Sequence, residues 1–246
     1  MQTMTDKRPV FWAVVPARSG SKGLPGKNVI EICGMPLIGH AIRFAQASGA
    51  FERVIVSTDS DSYADTARGF GAEVPFLRDP AAAQDHSMEE DILADFAAKV
   101  EASGLTPPDA LVWLRPTFPF RSIEDLSAAL NRLTPEVDSV RLVTEGEPRL
   151  YAMPDGLLTP QFDDGGRSMI RRQEFEPVYR VFHTDIFWYR NIALGKRFLG
   201  ERSVGHKIHK ICSIDIDTSE DAEMAEALMR ANSPFLKAYT HSMDPA

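Results

Sequence analysis

Cysteine is almost absent from this 246-residue sequence, which contains Cys33, Cys212 and no others. The two are far apart and form no Cys-x-x-Cys motif, so the sequence argues against a zinc site or a disulfide framework. We expect both to pack as reduced thiols. Long apolar runs are also missing, because no stretch approaches the roughly 20 apolar residues that a membrane span needs. We therefore expect a cytoplasmic protein without a membrane partner.

A net positive charge is the third missing feature. The sequence has 27 Lys and Arg residues against 35 Asp and Glu residues, which gives a net charge of −8. Such a chain has no global positive field that would hold a polyanion, so we expect no nucleic-acid partner. A small anionic ligand is compatible with this charge if a few basic residues converge on it.

Apolar runs and helical periodicities alternate along the chain. Strands are predicted at 10–15, 53–57, 73–76, 110–114, 181–189 and 210–216. Helices are predicted at 36–48, 61–70, 88–102, 122–133 and 220–230. Between about 145 and 177 the alternation stops, and prolines and glycines punctuate short segments. This order predicts an α/β sandwich around a mainly parallel sheet, with one excursion from it.

A glycine-rich loop, RSGSKGLPGKN at 18–28, follows the first predicted strand. Glycines at 20, 23 and 26 allow backbone N–H groups to approach an anion, and Arg18, Lys22 and Lys27 add positive charge. The spacing fits neither a P-loop nor the dinucleotide motif Gly-x-Gly-x-x-Gly. A triphosphate suits this composition, although spacing alone leaves an ordinary solvated turn about equally open.

The segment PARSGSKGLPGKN resembles the signature loop of acylneuraminate (CMP-sialic acid) synthetases and related sugar-acid cytidylyltransferases. The resemblance continues in VSTD (56–59), GAEVPFLRDP (71–80), LRPTFPFR (114–121) and SIDIDT (213–218), and so covers nearly the whole chain. It implies a three-layer α/β/α nucleotidyltransferase fold with a mostly parallel mixed sheet. It also implies a nucleotide-binding domain at 1–137 and 190–246, and an inserted dimerisation and sugar-binding lobe at 138–189 of a homodimer.

The activity that this resemblance implies is Mg²⁺-dependent transfer of CMP from CTP to the anomeric hydroxyl of a 2-keto sugar acid. The residues that would line the CTP site are Arg18, Ser21, Lys22, Lys27, Asn28 and Arg78. Arg18, Lys27 and Asp217 would be catalytic. Two alternatives stay open: a cytidylyltransferase for 3-deoxy-manno-octulosonate, the shorter sugar acid, and a nucleotide-binding protein without turnover. Pyrophosphate release would distinguish an active enzyme from a nucleotide-binding protein without turnover.

Two carboxylates stand close together near the end of the chain. Asp215 and Asp217 are two residues apart in a strand-like run, so alternation would place both on one face. Hard carboxylate oxygens in this arrangement suit Mg²⁺ beside the phosphates of a nucleotide. An isolated Asp-x-Asp is more often a solvent face or a helix cap, and the loop and the resemblance favour the metal. No general base is assigned.

Three arginines are candidates for binding the acceptor. Arg172 and Arg180 fall where relatives place sugar-binding arginines, which would bind the acceptor carboxylate bidentately, unless they are ordinary surface arginines. Arg115 and Phe118 stand where relatives have Gln and Ser, and the Asn that follows the second arginine in relatives is missing. We expect Arg115 to help select a sugar similar to sialic acid, or alternatively to pair with Asp185.

Overall fold

A six-stranded mixed sheet forms the centre of the computed structural model, which describes residues 8–21, 23–163, 165–167, 170–231 and 233–240. The strands in chain order are β1 (Phe11–Pro16), β2 (Glu31–Ile32), β3 (Met35–Pro36), β4 (Arg53–Ser57), β5 (Ala110–Leu114), β6 (Ser139–Glu145), β7 (Tyr151–Ala152), β8 (Thr159–Pro160), β9 (Tyr179–Trp188) and β10 (Ser203–Lys207). The central sheet has the order β10-β6-β9-β5-β1-β4, and β2-β3 and β7-β8 form small separate pairs. Within the central sheet β9 runs antiparallel to both of its neighbours, whereas the other pairings are parallel.

Helices connect these strands. The α-helices are α1 (Leu37–Ser48), α2 (Asp61–Gly69), α3 (Glu89–Ala102), α4 (Ile123–Leu130), α5 (Ser219–Arg230) and α6 (Pro234–Lys237). Short 3-10 helices lie at Lys27–Val29, Pro80–Ala83, Pro154–Gly156, Arg172–Glu174, Tyr189–Arg197 and Lys210–Ser213. Over the described ranges, none of the helices has both the length and the apolar character required to cross a membrane.

The side chains of β1 show why helices cover both faces of the sheet. Ala13 and Val15 point into a core shared with α1, α2 and α4, whereas Trp12 and Val14 point into a second core shared with α3. All four are almost inaccessible to water. Each fully buried Val stabilises the fold by about 1.5–3 kcal/mol, so a continuous apolar strand requires a layer on each side. The predicted three-layer arrangement is therefore confirmed.

Several predicted elements need correction. The strand predicted at 73–76 is reduced to an isolated bridge between Glu73 and Ile55. The strand predicted at 210–216 is wrong, because the chain there starts with the 3-10 helix Lys210–Ser213, which His209 caps by accepting the N–H of Ile211 at 3.1 Å. Strands β6 and β10 were not predicted.

The range predicted for the inserted lobe, 138–189, contains two strands of the central sheet. β6 pairs with β9 and β10, and β9 pairs with β5 and β6. The segment outside the sheet is therefore 146–178, which we call the lobe. It contains the β7-β8 pair and two of the short 3-10 helices. The lobe leaves the sheet at the end of β6 and returns to it at the start of β9.

Candidate active site

The predicted phosphate loop follows β1 and is held by side chains at both ends. The buried Asn28 donates a hydrogen bond from Nδ2 to the backbone oxygen of Arg18 at 3.0 Å, which closes the loop on itself. The N–H and the hydroxyl of Ser19 donate to the two carboxylate oxygens of Asp59, at 2.8 and 2.9 Å. Gly26 has a φ of 69°, a conformation that glycine adopts without strain.

The basic residues of this loop contact acidic ones. Arg18 lies 3.2 Å from the Asp85 carboxylate and also donates to the backbone oxygen of Gln84. Lys27 donates from Nζ to Asp217 Oδ1 at 2.8 Å. Ser21, also predicted to bind nucleotide, is partly exposed in the same loop, and Lys22 lies outside the described residues. The structure thus joins two of the predicted catalytic residues, Lys27 and Asp217, directly.

The carboxylates Asp215 and Asp217 lie on either side of a fully buried residue. The side chain of Ile216 is in the core, and its N–H donates to the backbone oxygen of Thr117 at 2.9 Å. The side chain of Asp215 is partly buried and that of Asp217 is exposed. The strand whose alternation was predicted to place both on one face is absent from this part of the described chain. Arg180 lies 3.4 Å from Asp215 Oδ2, as Lys27 lies close to Asp217.

The environment of Asp215 fits a divalent cation. Its Oδ1 atom is buried and accepts no hydrogen bond from any described residue. Burial raises the pKa of this carboxyl, and the neighbouring Asp217 raises it further. Thr117, Arg180 and Lys27 lower the pKa but do not cancel the rise. A cation would satisfy the buried oxygen and offset the cost of its desolvation.

The carboxylate pair does not form a complete metal site by itself. Among the described residues, no group of three or more His, Cys, Asp or Glu side chains is placed to hold an ion. Mg²⁺ commonly binds to one or two carboxylates and takes its remaining ligands from water and substrate phosphates. The predicted ligands Asp215 and Asp217 therefore suit a metal that arrives with a nucleotide.

A cavity of about 290 Å³ lies at the carboxyl ends of β1 and β5. This edge of a parallel sheet is where ligands of open α/β folds usually bind. Thr117 lines the cavity, and its backbone oxygen accepts the N–H of Ile216, the residue between the two carboxylates. Its lining combines acidic, basic and uncharged side chains. The lining residues are Pro16, Arg18, Asn28, Arg78, Ala82, Gln84, Asp85, Ser87, Glu89, Ile92, Trp113, Arg115, Pro116 and Thr117.

Arg78 is the buried cation of this cavity. It is 3% exposed and donates to the hydroxyl and the backbone oxygen of Ser57, at 3.2 and 2.6 Å. Burial lowers the pKa of Arg78 to about 10, and Asp59 opposes that shift. The guanidinium is fixed at the end of β4, where it lines the cavity beside Asn28. The structure therefore brings together the predicted nucleotide-binding residues Arg18, Asn28 and Arg78.

Arg115 makes the internal pairing that the sequence left as an alternative. Its Nη2 atom donates to Asp185 Oδ2 at 2.8 Å, and Nε donates to Glu89 Oε1 at 2.9 Å. Its Nη1 atom donates to the backbone oxygen of Phe182. Although Arg115 lines the cavity, its donors are directed at protein oxygens, because the fully buried Asp185 requires positive charge beside it. This geometry argues against Arg115 as an acceptor ligand.

Asp185 is the centre of this ion network. It is completely buried, and its second oxygen accepts from Arg141 Nε at 2.7 Å. The network of Glu89, Arg115, Asp185 and Arg141 links α3 to strands β6 and β9 and to the residue that follows β5. Glu89 and Arg141 could not be identified from the sequence, because their contacts join residues far apart in the chain. The one sequence signal for this network was the added positive charge of Arg115, for which Asp185 was a candidate partner.

The remaining predicted acceptor residues have different surroundings. Arg180 is exposed and contacts both Asp215 and the backbone oxygen of Ser213. The backbone of Arg172 belongs to a 3-10 helix of the lobe. Phe118, which was expected to alter the sugar pocket, is 2% exposed and packs edge-on against His183, with ring centroids 5.5 Å apart. The phenylalanine ring, which stands where the resemblance implies Ser, therefore fills space in the interior of the protein.

Arg121 shapes the segment that follows β5. It is fully buried and donates to the Thr184 hydroxyl at 3.0 Å and to the backbone oxygen of Arg115. Burial lowers its pKa to about 9, and Arg115 lowers it further. Its guanidinium also lies over the Phe44 ring. The sequence did not single out Arg121, which acts here by holding the cavity wall in place.

The sequence is similar to known proteins along most of its length. The family model described as cytidylyltransferase matches residues 12–198. The chain is 33% identical to the CMP-N,N'-diacetyllegionaminic acid synthase of Legionella pneumophila, over 89% of this chain and 96% of the relative. It is 39% identical to a pseudaminic acid cytidylyltransferase of Campylobacter jejuni, with the same 89% and 96% covered. Both relatives thus align along nearly their whole length.

The fold also matches solved structures. One is a CMP:2-keto-3-deoxy-manno-octonic acid synthetase complexed with CTP, with a TM-score of 0.67 and 19% sequence identity. The alignment covers 91% of this chain and 100% of that one. At this identity the likeness establishes a shared fold, and it confirms the predicted nucleotidyltransferase architecture.

We expect Asp185→Ala to lower the free energy of unfolding by about 3–5 kcal/mol, because two guanidiniums would lose a buried counter-charge. Chemical denaturation measures this change. The control is Asp65→Ala, since Asp65 pairs with Arg68 at the surface, 76% exposed, and its loss should cost about 1 kcal/mol or less. Equal losses in the two variants would contradict the central role of Asp185.

Proposed function

Because the chain belongs to the cytidylyltransferase family, we propose that it transfers CMP from CTP to a 2-keto sugar acid of the nonulosonic, sialic-acid-like type. The products are a CMP-sugar and pyrophosphate. The observation that carries this proposal is that the phosphate loop, the Lys27–Asp217 pair and the cavity meet at one edge of the sheet. The names of the two relatives, both nonulosonic acid enzymes, support the class of acceptor.

The nucleotide half of the proposed site lies along β1 and the loop after it. Arg18, Ser21, Lys22 and Lys27 would contact the phosphates, as their positions in the loop predict. Asn28 and Arg78 line the cavity that would take the rest of the nucleotide. Arg78 is held by two hydrogen bonds to Ser57, so it would bind without reorganising.

The proposed reaction joins the anomeric hydroxyl of the acceptor to the α-phosphorus of CTP. A new oxygen–phosphorus bond forms, the bond to the β-phosphate oxygen breaks, pyrophosphate leaves and the hydroxyl proton passes to water. Arg18 and Lys27 place positive charge where negative charge grows on the leaving group. Mg²⁺ held by Asp215 and Asp217 would supply further neutralisation of the phosphates. No covalent enzyme intermediate is needed.

The Lys27–Asp217 pair has a specific role in this scheme. Lys27 and Asp217 neutralise each other at a distance of 2.8 Å. Both side chains change partners when Lys27 binds a phosphate and Asp217 binds a metal ion. The pair keeps an exposed carboxylate and a cation within reach of one another. The charges that the reaction needs are therefore already assembled, and nucleotide binding exchanges their partners.

The acceptor half of the proposed site centres on arginines of the lobe and of β9. Arg180 stands beside Asp215 and is exposed, so its guanidinium can bind the acceptor carboxylate next to the carboxylate pair. Arg172 would act from the lobe, at the position that the family resemblance implies.

Cys33 and Cys212 are both free thiols, which fits the reducing cytoplasm that we propose as the location.

The central test is a reaction with each nucleoside triphosphate, Mg²⁺ and a panel of 2-keto sugar acids, including nonulosonic acids and the eight-carbon acid. We expect pyrophosphate release with CTP and a nonulosonic acid, together with the corresponding CMP-sugar. Pyrophosphate and the nucleotide sugar are measured separately, so that CTP hydrolysis is recognised. A protein that gives no product with any pair would disprove the enzyme proposal.

Removal of a proposed metal ligand should lower turnover strongly without unfolding the protein. We expect Asp217→Ala to lower kcat by about a hundredfold or more, since metal binding would lose a carboxylate. Its stability should stay close to that of the unaltered protein, because Asp217 is 65% exposed. Glu223→Ala, an exposed acid on α5, is the matched control. Undiminished turnover with Mg²⁺ would show that Asp217 is not required.

The lobe is the part that we propose to form a homodimer. Four of its large apolar side chains are 59% to 72% exposed, namely Leu150, Met153, Leu157 and Leu158. These side chains come from one short segment, 150–158, and apolar groups exposed together on a surface are typical of an interaction site. A symmetric pairing of lobes would cover it and bring a second copy near the acceptor arginines.

We expect the unaltered protein to be a dimer at micromolar concentration and Leu157→Glu with Leu158→Glu to be a monomer, because charge would replace the apolar contact. Light scattering coupled to gel filtration gives the mass of each. The control is Met224→Glu on α5, an apolar residue outside the lobe that is also exposed, at 57%, which should leave the dimer intact. A monomeric unaltered protein would rule out the homodimer.

A further inference from the structure

Phe182 has a backbone conformation that is rare for a bulky residue. It lies in β9 with a φ of 89°, a region that favours glycine. Opposite it the register of β6 and β9 shifts: Leu142 pairs with Thr184 and Thr144 with Arg180. One residue of β6 therefore faces the three residues 181–183 of β9, which is a bulge in the sheet. Strained residues in bulges occur often at functional sites.

The ion network holds Phe182 in this conformation. Its backbone oxygen accepts a hydrogen bond from Arg115 Nη1 at 2.9 Å. Its ring lies over the guanidiniums of Arg115 and Arg141, at 5.6 and 6.0 Å from ring centroid to guanidinium carbon. Both arginines are themselves fixed by Asp185. The strained backbone is thus maintained by charged groups that the fold has already positioned.

The ring remains accessible and is connected to two parts of the proposed site. Phe182 is 54% exposed, although its ring contacts the guanidiniums of two arginines. Arg115, which it contacts, lines the cavity, and Arg180, two residues earlier in β9, contacts Asp215. Exposed aromatic rings are common, but this one has a strained backbone, contacts a residue that lines the cavity, and lies two residues from one that contacts Asp215.

We propose that Phe182 is a specificity-determining contact for the acceptor, packing its exposed ring against an acylamino substituent of the sugar acid. The inference rests on the proposed function. The face of an aromatic ring carries partial negative charge, so it attracts amide N–H and methyl C–H groups and repels a carboxylate. The two guanidiniums in contact with the ring fix its orientation. The acceptor carboxylate is bound by arginines elsewhere.

Phe182→Gly tests the ring separately from the backbone, because glycine adopts a positive φ without strain. Two acceptors are compared, one with an acylamino group and one with a hydroxyl in its place. We expect kcat/KM for the acylamino acceptor to fall about tenfold, mainly through KM, and kcat/KM for the hydroxyl acceptor to change little. The KM for CTP and the melting temperature should be unchanged or nearly so. Phe182→Tyr, which keeps the ring, should retain the preference.

Each other outcome of this experiment contradicts a specific statement. An unchanged ratio of the two kcat/KM values in Phe182→Gly overturns the role of Phe182 and leaves the proposed function standing. A change confined to CTP would assign the ring to the nucleotide and overturn its placement at the acceptor. An equal loss with both acceptors would show that Phe182 holds structure. No CMP-sugar from the unaltered protein would overturn both proposals.

Discussion

The arrangement of the site depends on one fully buried charge, the carboxylate of Asp185 in the antiparallel strand β9. A carboxylate without water around it is tolerated when cations and hydrogen bonds surround it, and Arg115 and Arg141 supply both. This requirement directs the donors of Arg115 at protein oxygens, those of Asp185, Glu89 and the backbone of Phe182. One wall of the cavity and the contact with the bulge in β9 therefore both involve the arginine that neutralises this single group.

An arginine where relatives have glutamine therefore has a local effect on charge. The positive charge of Arg115 is matched by Asp185 and Glu89, so the cavity gains little net field from it. The side chain of Phe118 is likewise buried, and it packs against the ring of His183. Substitutions that look like changes of substrate chemistry in the sequence are compensated within the protein. The contact with the acceptor that we propose falls instead on Phe182, which the sequence did not single out.

How much could be predicted depended on whether a residue's partners are near it in sequence. Strands 53–57 and 110–114 were predicted with the bounds that the structure has, because a run of buried apolar residues is a local signal. β10 was missed because its alternating residues are mostly polar at the sheet edge, and 210–216 was predicted as a strand although His209 caps a 3-10 turn there. The contacts of Asp185 and the φ of Phe182 depend on the assembled sheet and had no local signal.

Strand β9 also joins regions that would otherwise be independent. It begins where the lobe ends, carries Arg180 and Phe182 past the carboxylate pair, and then reaches Asp185 in the centre of the sheet. A displacement of the lobe would therefore act on the backbone of Arg180 and Phe182 directly, whereas Asp185 holds the strand further along. The bulge at 181–183 lies between the lobe and Asp185. The subunit contact and the acceptor contact that we propose thus share one continuous stretch of backbone.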